Sequence, residues 1–256
     1  MSSQALRSFA QPFPAAGGWV LHPAPTTLSL RQAEDPARDR FDDPDREYRV
    51  RYFAMSVRGA MLEVLDRFRS NEAAETALNR VEGLIGVDIL EEESAAVVPG
   101  NWLSKQRLAR ALLSPTARFV DVTEADVLAE LNGRERIQKA LHLELALGDE
   151  LAEQELGPDA RLDDATIRMT GPLGRVITQA VSREIHDDDA MFAGLSYVTR
   201  FDRNERCWAV FDDRVQVTFD EDEILDDHNI DHVQALDGVA RTYRLDLPSD
   251  WRLSGG

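Results

Sequence analysis

Arg40, Tyr52 and Glu63 are three side chains of unlike chemistry that fall close together early in the chain. A guanidinium offers a fixed cation that can grip an oxyanion with two parallel hydrogen bonds. A phenol ring offers an aromatic face with a polar tip. A carboxylate can stabilise positive charge that develops during bond breaking, or hold a hydroxyl. The three arrive on a turn (Asp39-Arg40-Phe41-Asp42-Asp43-Pro44), a strand over 48–54 and a helix that carries Gly59-Ala60-Met61-Leu62-Glu63-Val64. A turn, strand and helix in close order could bring them to one cleft. Spacing alone favours a plainer reading, in which Glu63 is an exposed i, i+4 partner of Arg67 worth about a few tenths of a kcal/mol.

Other candidates are weaker. His228-Asn229-Ile230-Asp231-His232 has the i, i+4 histidine spacing of a helical metal site, but no Glu follows His228 as a zincin requires. A solvated helix start is the better reading there. Asp220-Glu221-Asp222-Glu223 lacks the glycine and later bidentate Glu of a calcium loop and reads as a solvated charge run. Cys207, inside an apolar run, reads as a small buried hydrophobe. His186 reads as a helix-end histidine, suited to the negative terminus of the helix dipole. No phosphate-binding glycine loop, dinucleotide fingerprint or nucleophile elbow occurs, and no metal site is assigned.

The elements that must position these residues follow from periodicity. Trp19-Val20-Leu21 reads as a short strand. The segment 48–54 alternates and is rich in β-type residues, so it reads as a strand ending at Tyr52-Phe53-Ala54. Ser56 caps a helix whose Val57, Ala60, Met61, Val64, Leu65 and Phe68 form one apolar stripe. Glu63 lies roughly 130° from the centre of that stripe, toward the polar side. Residues 72–86, 102–113 and 134–156 read as helical, as does a segment from Thr123-Glu124 to Asn132-Gly133. Residues 118–122 read as a strand. Thr170-Gly171-Pro172 opens a helix with the stripe Leu173, Val176, Ile177, Ala180, Val181 and Ile185. Strands over 194–199, 207–211 and 215–219, a helix over 229–241 and a strand over 243–247 complete the chain. Strands and helices alternate without a βαβ rhythm, which indicates an α+β fold. Residues 1–18 read as a flexible lead-in, 19–247 as one domain with an enlarged helical middle over 70–160, and 248–256 as a tail.

Composition bounds the partners. The chain has 256 residues, 43% of them hydrophobic, and 29 basic against 47 acidic side chains, a net charge of −18. A field of that sign excludes a phosphate-coating nucleic-acid binder and docking on anionic lipid. One cysteine excludes an internal disulfide framework. The start has no basic and apolar leader pattern, and no apolar run reaches the roughly 18 residues of a membrane span. The expected setting is cytoplasmic.

Two patches resemble the RES-domain family, named for an Arg, a Glu and a Ser. The first is Arg40-Phe41, then Val50-Arg51-Tyr52, then Ser56 and Gly59-Ala60-Met61-Leu62-Glu63-Val64. The second is Ala193-Gly194-Leu195-Ser196-Tyr197-Val198-Thr199-Arg200 followed by Cys207-Trp208-Ala209-Val210-Phe211. The patches occur in the family's order. The resemblance implies an ADP-ribosyltransferase-like fold of mixed and antiparallel sheets with surrounding helices. It implies NAD as substrate, with no further cofactor, and cleavage of the nicotinamide–ribose bond by water or phosphate. It also implies a toxin held in check by an Xre-type helix-turn-helix antitoxin. Carried onto these residues, it makes Glu63, Arg40 and Thr199 catalytic, and Arg40, Tyr52, Glu63 and Thr199 the substrate-binding set. The family serine is Thr199 here, which keeps the hydroxyl and stiffens χ1. Relatives often carry an arginine near the start, where this chain has His22-Pro23. Together with Thr199, that departure suggests an alternative: a catalytically weakened module of the same fold that binds a nucleotide or a protein.

Overall fold

A computed structural model describes residues 4–23, 39–69, 96–142 and 160–253. The helix expected over 72–86 and the distal part of that expected over 134–156 lie outside them. The frame is one large mixed sheet, strand order β1-β6-β7-β8-β3-β2-β5-β9. Its strands are β1 (Ala10–Pro12), β2 (Gly18–Pro23), β3 (Val50–Ala54), β5 (Gln106–Leu112), β6 (Arg118–Asp121), β7 (Gly194–Val198), β8 (Arg206–Phe211) and β9 (Thr218–Ile224). Only β6 and β7 run parallel; every other neighbouring pair is antiparallel. A small parallel pair joins β4 (Ala96–Val97) to β10 (Leu245–Asp246). The expected α+β class is therefore observed.

The helices are α1 (Gln4–Ser8), α2 (Val57–Leu65), α3 (Gly100–Leu103), α4 (Ala125–Asn132), α5 (Glu135–Leu141), α6 (Asp164–Arg168), α7 (Gly171–His186) and α8 (Ile230–Tyr243). One face of the sheet is covered by helices in two adjoining cores. Leu173, Ile177, Val181 and Ile185 of α7 pack with Leu195, Tyr197, Cys207 and Phe211 of β7 and β8. Met61, Leu62 and Leu65 of α2 pack with Val233, Leu236 and Val239 of α8. Strand alternation sends Phe53, Trp208 and Val210 to the opposite face, where Phe13 and Phe119 join them. In each of β3, β7 and β8, every second side chain thus looks toward the helices.

Several elements depart from expectation. Residues 102–113 form α3 and then strand β5, because tertiary pairing with β2 and β9 overrides the helix-favouring Leu, Ala and Arg of that stretch. The acidic run Asp220-Glu221-Asp222-Glu223, expected to be a solvated run, lies inside β9, and 215–217 precede that strand. Arg110 of β5 hydrogen-bonds Asp220, and Arg107 hydrogen-bonds Asp222 at 2.7 Å. The lead-in 1–18, expected to be flexible, carries α1 and β1, with Leu6 fully buried and β1 paired to β6. The expected tail packs Trp251 into the α2–α8 core. Tyr243 belongs to α8 rather than to a final strand, and Arg244 closes that helix in the left-handed region (φ 56°). No helix among the described residues is long and apolar enough to cross a membrane.

Candidate active site

The site is built where the turn before β3, helix α2 and strand β7 meet on the helix-covered face. The turn is fixed first. Asp43 is buried and accepts from the backbone N–H of Glu47 (2.6 Å) and Tyr48 (3.3 Å). Arg183 of α7 donates to the same carboxylate at 3.2 Å, and the Tyr48 hydroxyl meets Ser182 Oγ at 3.1 Å. Gln179 donates to the Asp39 carbonyl at 3.2 Å. Helix α7 therefore holds both ends of the turn that carries Arg40.

Tyr52 holds its middle. Its hydroxyl accepts from the Phe41 N–H and donates to Asp42 Oδ1, each at 3.0 Å. Burial, followed by the charges of Asp42 and Asp39, pushes its phenol well above the ordinary value. The hydroxyl is a settled donor committed to the turn, so Tyr52 positions Phe41 and its neighbour Arg40.

Arg40 is enclosed. Its guanidinium lies 5.1 Å from the Phe41 ring centroid and 5.4 Å from that of Tyr197, within cation–π range of both. Nη2 donates to the Ile167 carbonyl at the end of α6. Nε and Nη1 are buried with no hydrogen-bond partner. Burial lowers its proton affinity, offset in part by Tyr197 and Glu63. A guanidinium nevertheless stays protonated at neutral pH.

Glu63 faces it from α2. Ser56 caps this helix, its Oγ accepting from Gly59 N at 2.9 Å and donating to Glu205 at 2.8 Å. Arg58 pairs with Asp202, so the turn between β7 and β8 clamps the first turn of α2. Glu63 is half-buried rather than out in solvent. Helix α2 packs on two sides, Ala60 toward the α7 core and Met61 and Leu62 toward α8. The polar side of a one-stripe helix thus faces strand β7 rather than open solvent. Glu63 Oε2 accepts from the Tyr197 hydroxyl at 3.0 Å, whereas Oε1 is buried with no partner.

Tyr197 is the residue that sequence reasoning passed over as a site residue. It is almost wholly buried, touches Glu63 through its hydroxyl, and packs its ring on Phe41 at 4.9 Å. Strand alternation was the available signal: Leu195, Tyr197 and Thr199 share one face. Thr199 continues that face beyond β7 and is fully buried, its Oγ1 accepting from Phe201 N at 3.5 Å. No hydrogen bond among the described residues joins it to Arg40 or Glu63. The structure therefore links Arg40, Glu63, Tyr197 and, through the turn, Tyr52, and sets Thr199 on the same face with no hydrogen bond to them among the described residues. Arg200, which follows Thr199, reaches back to Asp66 at the end of α2.

The remaining candidates fall elsewhere. His232 is buried and hydrogen-bonded to Glu223 (3.0 Å) and Asp226 N (3.2 Å), whereas His228 is exposed. Tertiary packing thus buries one histidine of a pair expected to be solvated. Cys207 is free and buried, and burial raises its thiol well above the ordinary value. His186 ends α7 and stacks on Tyr48 at 3.8 Å.

A guanidinium and a half-buried carboxylate, each with buried polar atoms that have no hydrogen-bond partner, form a candidate site for a ligand of mixed charge. The RES domain family matches residues 20–232, and the chain belongs to that family. Among solved structures, the chain is similar to one described as the crystal structure of the M. tuberculosis MbcT-MbcA toxin-antitoxin complex. That similarity has 13% identity, a TM-score of 0.41, and covers 86% of this chain and 89% of the other. No curated protein matches the sequence.

Proposed function

We propose that the protein cleaves the nicotinamide–ribose bond of NAD and acts as the toxin of a toxin–antitoxin pair, restrained by an Xre-type helix-turn-helix protein. One observation carries the chemistry. Arg40 and Glu63 are opposite charges that both neighbour Tyr197, and both keep unmet polar atoms. NAD offers a matching pair of needs, an anionic pyrophosphate and a ribose that becomes cationic. Arg40 binds the pyrophosphate through N–H groups that have no protein partner, in a low-dielectric setting where such bonds are strong. Glu63 stands beside the ribose. As the C1′–N bond breaks, its electron pair moves onto the nicotinamide ring nitrogen and leaves an oxocarbenium-like ribose, which the carboxylate stabilises. Water or phosphate then attacks C1′ and gives up its proton. No metal or redox cofactor is needed to balance this step. Membership of the RES family supports the reading.

A second reading has its own observation. The Thr199 hydroxyl is fully buried and directed to the Phe201 amide, which fits a weakened enzyme that mainly binds. Both readings meet in one assay. Purified protein incubated with NAD, with and without phosphate, should release nicotinamide, and Glu63→Gln should lower the rate at least 100-fold. No release by the wild-type protein in either buffer would sink the toxin reading. A faster Thr199→Ser variant would identify Thr199 as attenuating.

A further inference from the structure

Arg40 and Glu63 lie close enough to feel each other's charge, yet they form no ion pair. For two opposite charges whose unpaired polar atoms are buried this needs a cause, because pairing is the usual way to offset desolvation. Tyr197 stands between them. Its hydroxyl takes Glu63 Oε2 at 3.0 Å, and its ring lies against the Arg40 guanidinium. Phe41 packs beside Tyr197 on the same flank of the guanidinium, and the Ile167 carbonyl takes its Nη2. We propose that Tyr197 is a positioning residue that holds the Glu63 carboxylate away from Arg40, so that both charges stay available to the two ends of the substrate. The proposal rests on the NAD-cleaving reading for its substrate, and on the geometry alone for its mechanism.

The surroundings support this role. Besides Tyr197, titratable groups whose fields reach Glu63 include Arg40 from the turn, Cys207 from β8 and Tyr243 from α8. Tyr243 donates its hydroxyl to the Leu62 carbonyl at 2.9 Å, so it is engaged elsewhere. Burial keeps the Tyr197 phenol protonated far above neutral pH, so it always donates. Backbone pairing of β7 with β6 and β8 fixes where that donor stands.

Tyr197→Phe in the full-length protein removes the hydroxyl and keeps the ring. The first measurement needs no turnover. A crystal structure of Tyr197→Phe should show the Glu63 carboxylate within 4 Å of the Arg40 guanidinium, against a wild-type crystal structure in which they stay unpaired. A Glu63 side chain that keeps its wild-type place in the variant overturns the proposal. The second measurement is kinetic. The variant should lose about 10- to 100-fold in kcat with a smaller change in KM, and adding it to Glu63→Gln should cost no further activity. An equal further loss in the Glu63→Gln background would mean that Tyr197 acts only on packing, and would also overturn the proposal. If the wild-type protein leaves NAD intact, the substrate reading fails while the structural comparison still decides the role of Tyr197.

Discussion

At the scale of single residues, Arg40 departs furthest from ordinary surface chemistry. A guanidinium with two buried, unmet nitrogen positions is costly unless a ligand supplies oxygens, and a planar group packed against two neighbouring rings does this better than a point charge. Arg40→Lys should therefore not be conservative. It keeps the charge but loses the planar fork and the packing against Phe41 and Tyr197. We expect NAD binding, measured calorimetrically on a Glu63→Gln background to prevent turnover, to weaken at least tenfold. Equal affinity for the lysine variant would mean that charge alone suffices and that the rings are incidental. Much of this site was legible in the sequence. Arg40, Tyr52 and Glu63 do meet, because they ride on consecutive local elements. The role of Tyr197 was hidden, because it depends on the distance between two elements about 130 residues apart. The alternation that puts Tyr197 and Thr199 on one face was readable, but the partner of that face was not.

At the scale of elements, helix α2 decides whether Glu63 reaches Tyr197. Its cap is secured by Ser56, and its close approach to β3 and the 202–205 turn is permitted by Gly59. A Cβ at Gly59 would stand 2.8 Å from Glu205 Oε2 and 2.9 Å from the Ala54 Cβ. The strand-borne Ala54 cannot yield as a flexible side chain would. Gly59→Ala would gain about 1 kcal/mol of helix propensity, but overpacking should cost about 1–3 kcal/mol, so net destabilisation is expected. A chemical denaturation midpoint equal to or above wild type would show that the helix relaxes freely. The strands teach a related lesson about legibility. Strand β5 has a helix-like composition, and β9 looks like a loop of acids. Each makes sense only beside the other, with Arg107 and Arg110 reaching the carboxylates of β9. Sequence periodicity sees a segment alone, so a strand specified by its cross-strand partner escapes it.

At the scale of the whole molecule, the net charge of −18 is partly matched by structure. From residue 201 to 256 there are 14 acidic and 6 basic residues. Several of these acids, including Asp202, Asp220 and Asp222, are paired to arginines from earlier elements. The aromatic side of the balance gives a sharper test. The chain has four tyrosines, and all four are held above their ordinary value, chiefly by burial. A raised folded value means that the unfolded chain releases these protons first as pH increases. The stability they contribute is therefore complete below about pH 10 and is lost as pH rises beyond it. Tyrosinate absorbance should accordingly appear in one cooperative step that coincides with loss of the circular dichroism signal. A gradual, independent tyrosine titration in a still-folded protein would contradict the burial described here.

The two outermost strands carry one more consequence. β1 is three residues long and ends in Pro12, which has no N–H to offer. β9 presents Asp220, Glu221, Asp222 and Glu223 in succession, and the arginines of β5 that balance them are already engaged within the molecule. A second copy laid along β9 would set carboxylate against carboxylate, and one laid along β1 would find a missing donor. The same residues that frame the sheet thus guard it against runaway strand addition, so that crowded or newly made chains are steered away from edge-to-edge aggregation.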